Sequence, residues 1–231
     1  GVASALERAE LAPGDIGSFI HGTTLATNAL LERRGCRTVL VADDGLGELS
    51  WIGDQTRPDL FALEIEKPKP LAAEVVEVAA RMAPDGSLLR ELNDDALREA
   101  LRAARGRGAE SVAVSLMHAY RDGKLERRIA AIATELGFAD VSVSHEVSNE
   151  LGLLGRTDTT TANAYLTPLL TRYMRKLEHE LGQGQLRMMQ SNGGLVDGSE
   201  FIGRNAVLSG PAAGVVATGA VADELALAET I

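Results

Sequence analysis

Three short stretches of this chain gather hydrogen-bonding side chains and bare backbone: HGTTLATN at 21–28, QSNGGL at 190–195 and SGPAAG at 209–214. Hydroxyls, carboxamides and glycine amides stabilise charge that is spread over oxygens, as on a phosphoryl group or an oxyanion. In the first stretch His21, Gly22, Thr23 and Thr24 fall where a strand hands over to a helix. That is where parallel sheets gather ligands. Gly22 lets the backbone approach a ligand closely, and the open amides of a helix start attract anions. Thr27 and Asn28 follow Thr24 at helical spacing, so the three share a face. The competing reading is that Thr24 caps the helix and the others satisfy buried backbone. In the second stretch Ser191, Asn192, Gly193 and Gly194 make either a ligand rim or an Asn-Gly hairpin turn. In the third, Ser209 is placed to cap and Pro211 suits a first helical turn. Gly210 and Gly214, with the alanines between them, leave a bare helix face for a ligand or for tight packing.

Elsewhere the chemistry is thin. His145-Glu146 lacks the second histidine of a zinc helix, so no metal site is expected. Neither a G-x-x-x-x-G-K-[ST] phosphate loop nor a G-x-S-x-G nucleophile elbow is present. Asp43 and Asp44 precede Gly45 and read as a turn more than as catalysts. Arg57, before Pro58, is structural or an anion contact. Cys36 is the sole cysteine, which rules out an internal disulfide, fits a reducing cytosol and reads as a small packed hydrophobe. A net charge of −10 argues against nucleic acid, which needs a basic face. No apolar run reaches bilayer-spanning length. The opening GVASALERAE reads as an amphipathic helix, not a signal peptide, so a cytoplasmic protein is expected. Aromatics are only 3% of the chain, so its core must be built from Ala, Val, Leu and Ile.

Strands must alternate with helices to position these groups. The β-branched runs IGSFIHG, RTVLVAD, VVEVAARM, SVAVSLMH and DVSVSHEV read as strands. TLATNALLERRG reads as a helix closed by Gly35. NDDALREALRAARGRG reads as a helix capped by Asn93, and DGKLERRIAAIATELG as another. RTDTTTANAYLTPLLTRYMRKLEHELG is one long helical pattern with Pro168 inside it, where a kink is expected. QLRMMQSNGG reads as a strand entering a turn, and VLSG as a strand end feeding a helix. The order predicts an α/β fold with a largely parallel sheet. A boundary is expected in the loop 148–156, dividing the chain into 1–148 and 149–231. Both ends read as cut: Gly1 opens inside a helical pattern without a cap, and Ile231 stops where an α/β chain runs into another strand.

Taken in order, HGTTLATNALLERRG, TRPDLF, RTDTTTANAYLTPL, MQSNGGL and LSGPAAGVVA resemble the hydantoinase A / 5-oxoprolinase family, over nearly the whole chain. The resemblance implies an actin-like ATPase (ribonuclease H-like) lobe, incomplete at both ends. Residues 1–148 would be the family's N-terminal region and 149–231 the start of its hydantoinase A domain. It implies ATP-dependent opening of a hydantoin, N-methylhydantoin or 5-oxoproline ring, with ATP and Mg²⁺ as cofactors and a second, larger subunit as partner. The implied alternatives are a ketone carboxylase subunit and a non-catalytic scaffold lobe. His21, Gly22, Thr23, Thr24, Thr27, Asn28 and Arg57 would line the substrate cleft. Ser191, Asn192, Gly193, Gly194, Ser209, Gly210, Pro211 and Gly214 would lie on the nucleotide side. The family's two acidic Gly-rich phosphate motifs, D-x-G-G-T-F-T-D and D-x-G-G-T-S-T-D, are not in these residues, so weak ATP binding is expected of this chain alone. Three segments depart from the family pattern: DGLGE at 44–48, WIGDQ at 51–55, where Asp54 replaces a basic residue, and LLGR at 153–156.

Overall fold

The structure is a computed structural model that describes residues 7–10, 15, 17–56, 59, 61–65, 67–148, 150–181 and 185–227. Two compact units form. One joins Gly1–Gly35 to Leu169–Ile231, and the other is Cys36–Pro168. The sequence boundary expected at 148–156 falls within the second unit, at the entry to its last helix.

The second unit is built on four parallel strands, β2 (Thr38–Asp43), β3 (Glu74–Val78), β6 (Ser111–Ser115) and β7 (Asp140–Val143), in the order β3-β2-β6-β7. Strand β1 belongs to the other unit, and β4 (Arg81–Met82) and β5 (Leu88–Arg90) form a small antiparallel pair. Every residue of β2 is buried, as the unbroken apolar run TVLVA requires of a strand covered on both faces. Val39 and Val41 on one face meet Leu97 and Leu101 of a helix at Asp94–Gly106 and Ile129 and Ile132 of another at Lys124–Glu135. Leu40 and Ala42 on the opposite face meet Ala164 of a long helix at Leu153–Leu181. Period-two alternation thus sends alternate side chains into two separate cores.

These helices are numbered α3, α4 and α6. Preceding them are α1 (Leu25–Leu31) and the short α2 (Leu49–Ile52); between α4 and α6 lies the single turn α5 (Ser144–Val147). Asn93 caps α3 as expected, its Oδ1 accepting from the Ala96 amide at 3.1 Å. Pro168 sits inside α6, which runs through it for 29 residues. Cys36 is 2% exposed at the entry to β2, its amide donating to the Tyr165 carbonyl.

In the first unit β1 (Ser18–His21) runs parallel to β8 (Gln185–Met189), and β8 turns back into β9 (Leu195–Asp197). Two helices follow, α7 (Gly203–Ala206) and α8 (Ser209–Glu224).

Several local expectations fail for identifiable reasons. Helix α1 ends at Leu31, and the left-handed residue after it is Arg33, with φ of 55°, so Gly35 does not close the helix. VVEVAARM breaks after Val78, and its last two residues pair with β5 instead. SHEV forms α5, because the Ser144 hydroxyl and His145 amide are drawn to a buried carboxylate described below. VLSG is no strand end: Val207 and Leu208 form the turn between α7 and α8.

Candidate functional site

β1 and β8 end side by side, with His21 opposite Met188. The three polar stretches meet there. The Ser209 hydroxyl accepts from the Thr23 amide at 3.2 Å and donates to the Thr23 carbonyl at 2.8 Å. The Thr27 hydroxyl donates to the Val207 carbonyl. The Ser191 hydroxyl accepts from the Leu208 amide at 3.0 Å and donates to the Asn205 carbonyl at 2.8 Å. Segments far apart in sequence are therefore cross-stitched by hydroxyls that bond the backbone of another segment.

Neither expected cap works as one. Thr24 and Leu208 occupy the cap positions of α1 and α8 without a side-chain bond to the helix, and Ser209 spends its hydroxyl on Thr23. The glycines are fixed by packing. A methyl on Gly22 would lie 2.2 Å from Ala213 Cβ, and one on Gly210 would lie 2.5 Å from Thr24 Cγ2. So α8 presses bare backbone against the loop after β1. A methyl on Gly214 would meet nothing within 4 Å. Pro211 sits in the first turn of α8. Gly193, at φ of 83°, makes the turn from β8 to β9, closed by the Gln190 amide to the Gly194 carbonyl at 2.8 Å and by Asn192 Oδ1 accepting from the Gly194 amide. Thr24, Asn28 and Asn192 present their side chains to solvent. Asn28 Nδ2 lies 3.4 Å from Thr24 Oγ1.

His21 shares a 2.7 Å hydrogen bond between its Nε2 and the Tyr173 hydroxyl of α6. Burial lowers the His21 pKa, keeping the imidazole neutral, and burial raises that of Tyr173, which the Thr23 contact partly offsets. Tyr173 reads in the sequence as one more apolar residue on its helix; the signal available was that a buried phenol needs a partner. Arg57 lies outside the described residues.

The other parallel sheet has a polar end of its own. Asp43 closes β2 at 1% exposure, its Oδ2 accepting from the Met117 amide at 2.7 Å and its Oδ1 3.7 Å from Arg81 Nε. Asp43 is thus the last residue of the strand, and the expected turn begins at Asp44. Burial raises its pKa, while the Met117 amide and Arg81 pull it back. Beside it Glu126 is fully buried and accepts from the Leu116 amide, the Ser144 hydroxyl, the His145 amide and His145 Nδ1, at 2.6–3.0 Å. Arg156, also fully buried, donates to Ser144 Oγ at 2.9 Å and to the carbonyls of Leu116 and Glu150 at 2.7 and 2.8 Å. Its guanidinium lies over the Tyr120 ring at 5.5 Å. Glu126 was visible in principle: it sits among Leu125, Ile129 and Ile132 on the apolar side of an amphipathic helix, where a lone acid demands a buried partner. A third feature is a cavity of about 510 Å³ lined by residues 50–56 together with Ile65, Lys67 and Pro68. Among the described residues no cluster of His, Cys, Asp or Glu is placed to hold a metal, and no helix is long and apolar enough to cross a membrane.

Residues 1–137 match the Hydantoinase/oxoprolinase N-terminal region, and residues 156–231 match Hydantoinase/oxoprolinase. The chain belongs to the hydantoinase/oxoprolinase family. A 5-oxoprolinase of Saccharomyces cerevisiae is 35% identical over 87% of the chain. The chain spans 18% of that relative's length. Among solved structures, the ATP-dependent caprolactamase from Pseudomonas jessenii superposes with a TM-score of 0.78 at 30% identity, covering 97% of this chain and 35% of that one. Nucleotide-free acetone carboxylase superposes with a TM-score of 0.75 at 20% identity, covering 96% and 34%, a likeness of fold alone. The α/β class, the parallel sheets and the actin-like lobe agree with these likenesses.

Proposed function

We propose that this family member takes part in ATP-dependent opening of a cyclic amide, a hydantoin, N-methylhydantoin or 5-oxoproline, through a phosphorylated carbonyl that water then attacks. The observation that carries the reading is the meeting of all three polar stretches at one sheet end, in a chain of this family. On this reading His21 to Asn28 wall the cleft. Thr24, Asn28 and Asn192 supply donors to oxygens that gain charge, and Ser191 and Ser209 hold the loops that carry them. Burial disfavours an imidazolium at His21, and the Tyr173 hydroxyl holds the ring in place. The described residues do not fit Mg²⁺, for they gather no group of carboxylates to anchor it, and no step is assigned to the metal. They fit ATP only as a wall: Gly22 and Gly210 face Ala213 and Thr24, not open space. On the same reading the full-length protein works in the cytosol, beside a second, larger subunit.

The test is ADP release by the full-length protein in the presence of each ring amide. Stimulation by at least one is expected. Stimulation only by a ketone with bicarbonate would transfer the reading to carboxylation, and ATP turnover with no response to either class would end it. The 231-residue chain itself is expected to bind Mg-ATP weakly in calorimetry, and micromolar affinity would mean that one of the three stretches cradles phosphates.

A further inference from the structure

Tyr173 stands on the part of α6 that belongs to the first unit, and its hydroxyl meets two residues of the loop between β1 and α1. One is His21, whose Nε2 lies 2.7 Å away. The other is Thr23, whose side chain also bonds the phenol. Phe19 and His21, two positions apart on β1, share a face of the strand, and their rings stack with centroids 5.9 Å apart. Gly22, between the two bonded residues, is pinned: a methyl there would lie 2.2 Å from Ala213 Cβ and 3.1 Å from the Ser209 carbonyl. The loop is thus gripped from α6 by one hydroxyl and from α8 by packed backbone.

The grip has a direction. A threonine hydroxyl carries one proton, and so does a phenol. Thr23 Oγ1 already accepts from the Leu25 amide at 3.2 Å, which opens α1 in place of the missing Thr24 cap. Its proton is left for the Tyr173 oxygen. Burial raises the Tyr173 pKa and the Thr23 bond pulls it back, as a bond donated to the phenol oxygen does. The phenol keeps its own proton to give, and His21 Nε2 is in reach to accept it. A neutral imidazole that accepts at Nε2 carries its proton on Nδ1. The donors therefore run from Thr23 to Tyr173 to His21. They tie the tautomer of one ring to the first turn of the helix that presents Thr24 and Asn28.

We infer that Tyr173 is a positioning residue: its hydroxyl fixes His21 as the Nδ1–H tautomer and holds the loop that sets Thr24 and Asn28. The reaction it serves rests on the function proposed above; the tautomer and the hold on the loop rest on the geometry alone.

The chain has four histidines, few enough to resolve with nitrogen-15 labelled histidine, and His21→Gln identifies the signal of His21. In mildly alkaline buffer, where burial leaves the ring neutral, the parent is expected to hold His21 mainly as the Nδ1–H tautomer. Tyr173→Phe is expected to release it mainly to the Nε2–H form that a free imidazole prefers. Nε2–H in the parent, or one tautomer in both proteins, would overturn the inference. The parent measurement does not depend on how the variant folds. In the full-length protein Tyr173→Phe is expected to lower the kcat of ring-amide-stimulated ADP release about tenfold and to leave KM within about twofold. Displaced donors to developing charge slow the step without loosening the rest of the substrate. A loss of stability alone changes neither constant of the folded protein. An unchanged kcat, or a rise in KM alone, would overturn the positioning role. If the full-length parent responds to no ring amide, the proposed function falls, and the His21 tautomer alone decides whether Tyr173 holds this loop.

Discussion

At the carboxyl ends of β1 and β8 the polar groups are neutral hydroxyls and amides, several of them open to solvent. At the carboxyl ends of β2 and β6 they are charges, and they are sealed: Glu126 and Arg156 have no exposed surface and Asp43 has almost none. Both sheets contain parallel strand pairs, β1 with β8 in one and all four strands in the other, and both bring strand ends and helix starts together, so topology alone would nominate either as a ligand site. The difference lies in who satisfies the donors. In the second unit Asp43 takes the Met117 amide and Glu126 takes the Leu116 amide, so the backbone groups that an α/β protein offers to a ligand are consumed by its own carboxylates. In the first unit Ser209, Ser191 and Thr27 tie loop to loop and leave Thr24, Asn28 and Asn192 at the surface. The charged end is a closure and the neutral end is a rim.

Arg156→Met tests that contrast with the largest expected effect. It removes the bonds to Ser144, Leu116 and Glu150 and takes away the buried positive charge whose field acts on Glu126 through the shared Ser144 hydroxyl. Losing these buried charge-assisted bonds costs roughly 3–5 kcal/mol. Chemical denaturation should show that loss, and a loss below about 1 kcal/mol would mean that the buried charges do not hold the sheet end closed.

On the neutral side the glycines give the next contrast. Gly22→Ala and Gly210→Ala drive a methyl into Ala213 and Thr24, and overpacking of this kind costs roughly 1–3 kcal/mol. Gly214→Ala, on the same helix but facing open space, is expected to stabilise by up to about 1 kcal/mol through helix propensity. Similar melting temperatures for Gly210→Ala and Gly214→Ala would show that α8 does not rest on the loop after β1.

Asp140 carries the contrast into pH. It opens β7, and burial raises its carboxyl to about 6, against a Ser142 hydroxyl bond that lowers it. The native state thus binds this proton more tightly than the unfolded chain. The cost of burying the anion is absent below about pH 4, grows as pH rises to 6 and is complete above that. Asp140→Asn should therefore match the parent near pH 4 and exceed it by about 1–3 kcal/mol at pH 8. Equal stability at both pH values would mean that the carboxylate is solvated in solution.

Tyr173→Phe should have the smallest effect, roughly 0.5–1.5 kcal/mol for one partly buried hydrogen bond. Nuclear magnetic resonance of His21 should show it titrating below the ordinary histidine value in the parent, since burial lowers it. A normal His21 titration would remove the argument that this histidine stays neutral.

Much of the framework was legible in the sequence. The apolar run of β2, the Asn93 cap and the length of α6 all declare themselves by local periodicity or by a single cap residue. What was not legible has a common physical origin. Ser209 looks like a cap from its neighbours, yet its hydroxyl bonds Thr23, 186 positions away. SHEV alternates like a strand, yet a buried carboxylate 18 residues upstream bends it into a turn. Gly22 and Gly210 look like openings for a ligand, yet each is the space another segment occupies. Sequence pattern reports which groups must be satisfied, and the partner is decided by tertiary packing. The cluster at 21–28 was found because hydroxyls crowded together are conspicuous; Glu126 and Arg156 are each solitary in sequence and meet, through Ser144, only in the fold.

The sealed position of Cys36 gives this protein an internal clock. A thiol with 2% of its surface open, at the first strand of the Cys36–Pro168 unit, reacts with an external disulfide reagent only while that strand is parted from its neighbours. Because these 231 residues hold no second cysteine, the labelling rate of the isolated chain at saturating reagent counts opening events one by one. At low reagent it reports the free energy of the opened form instead.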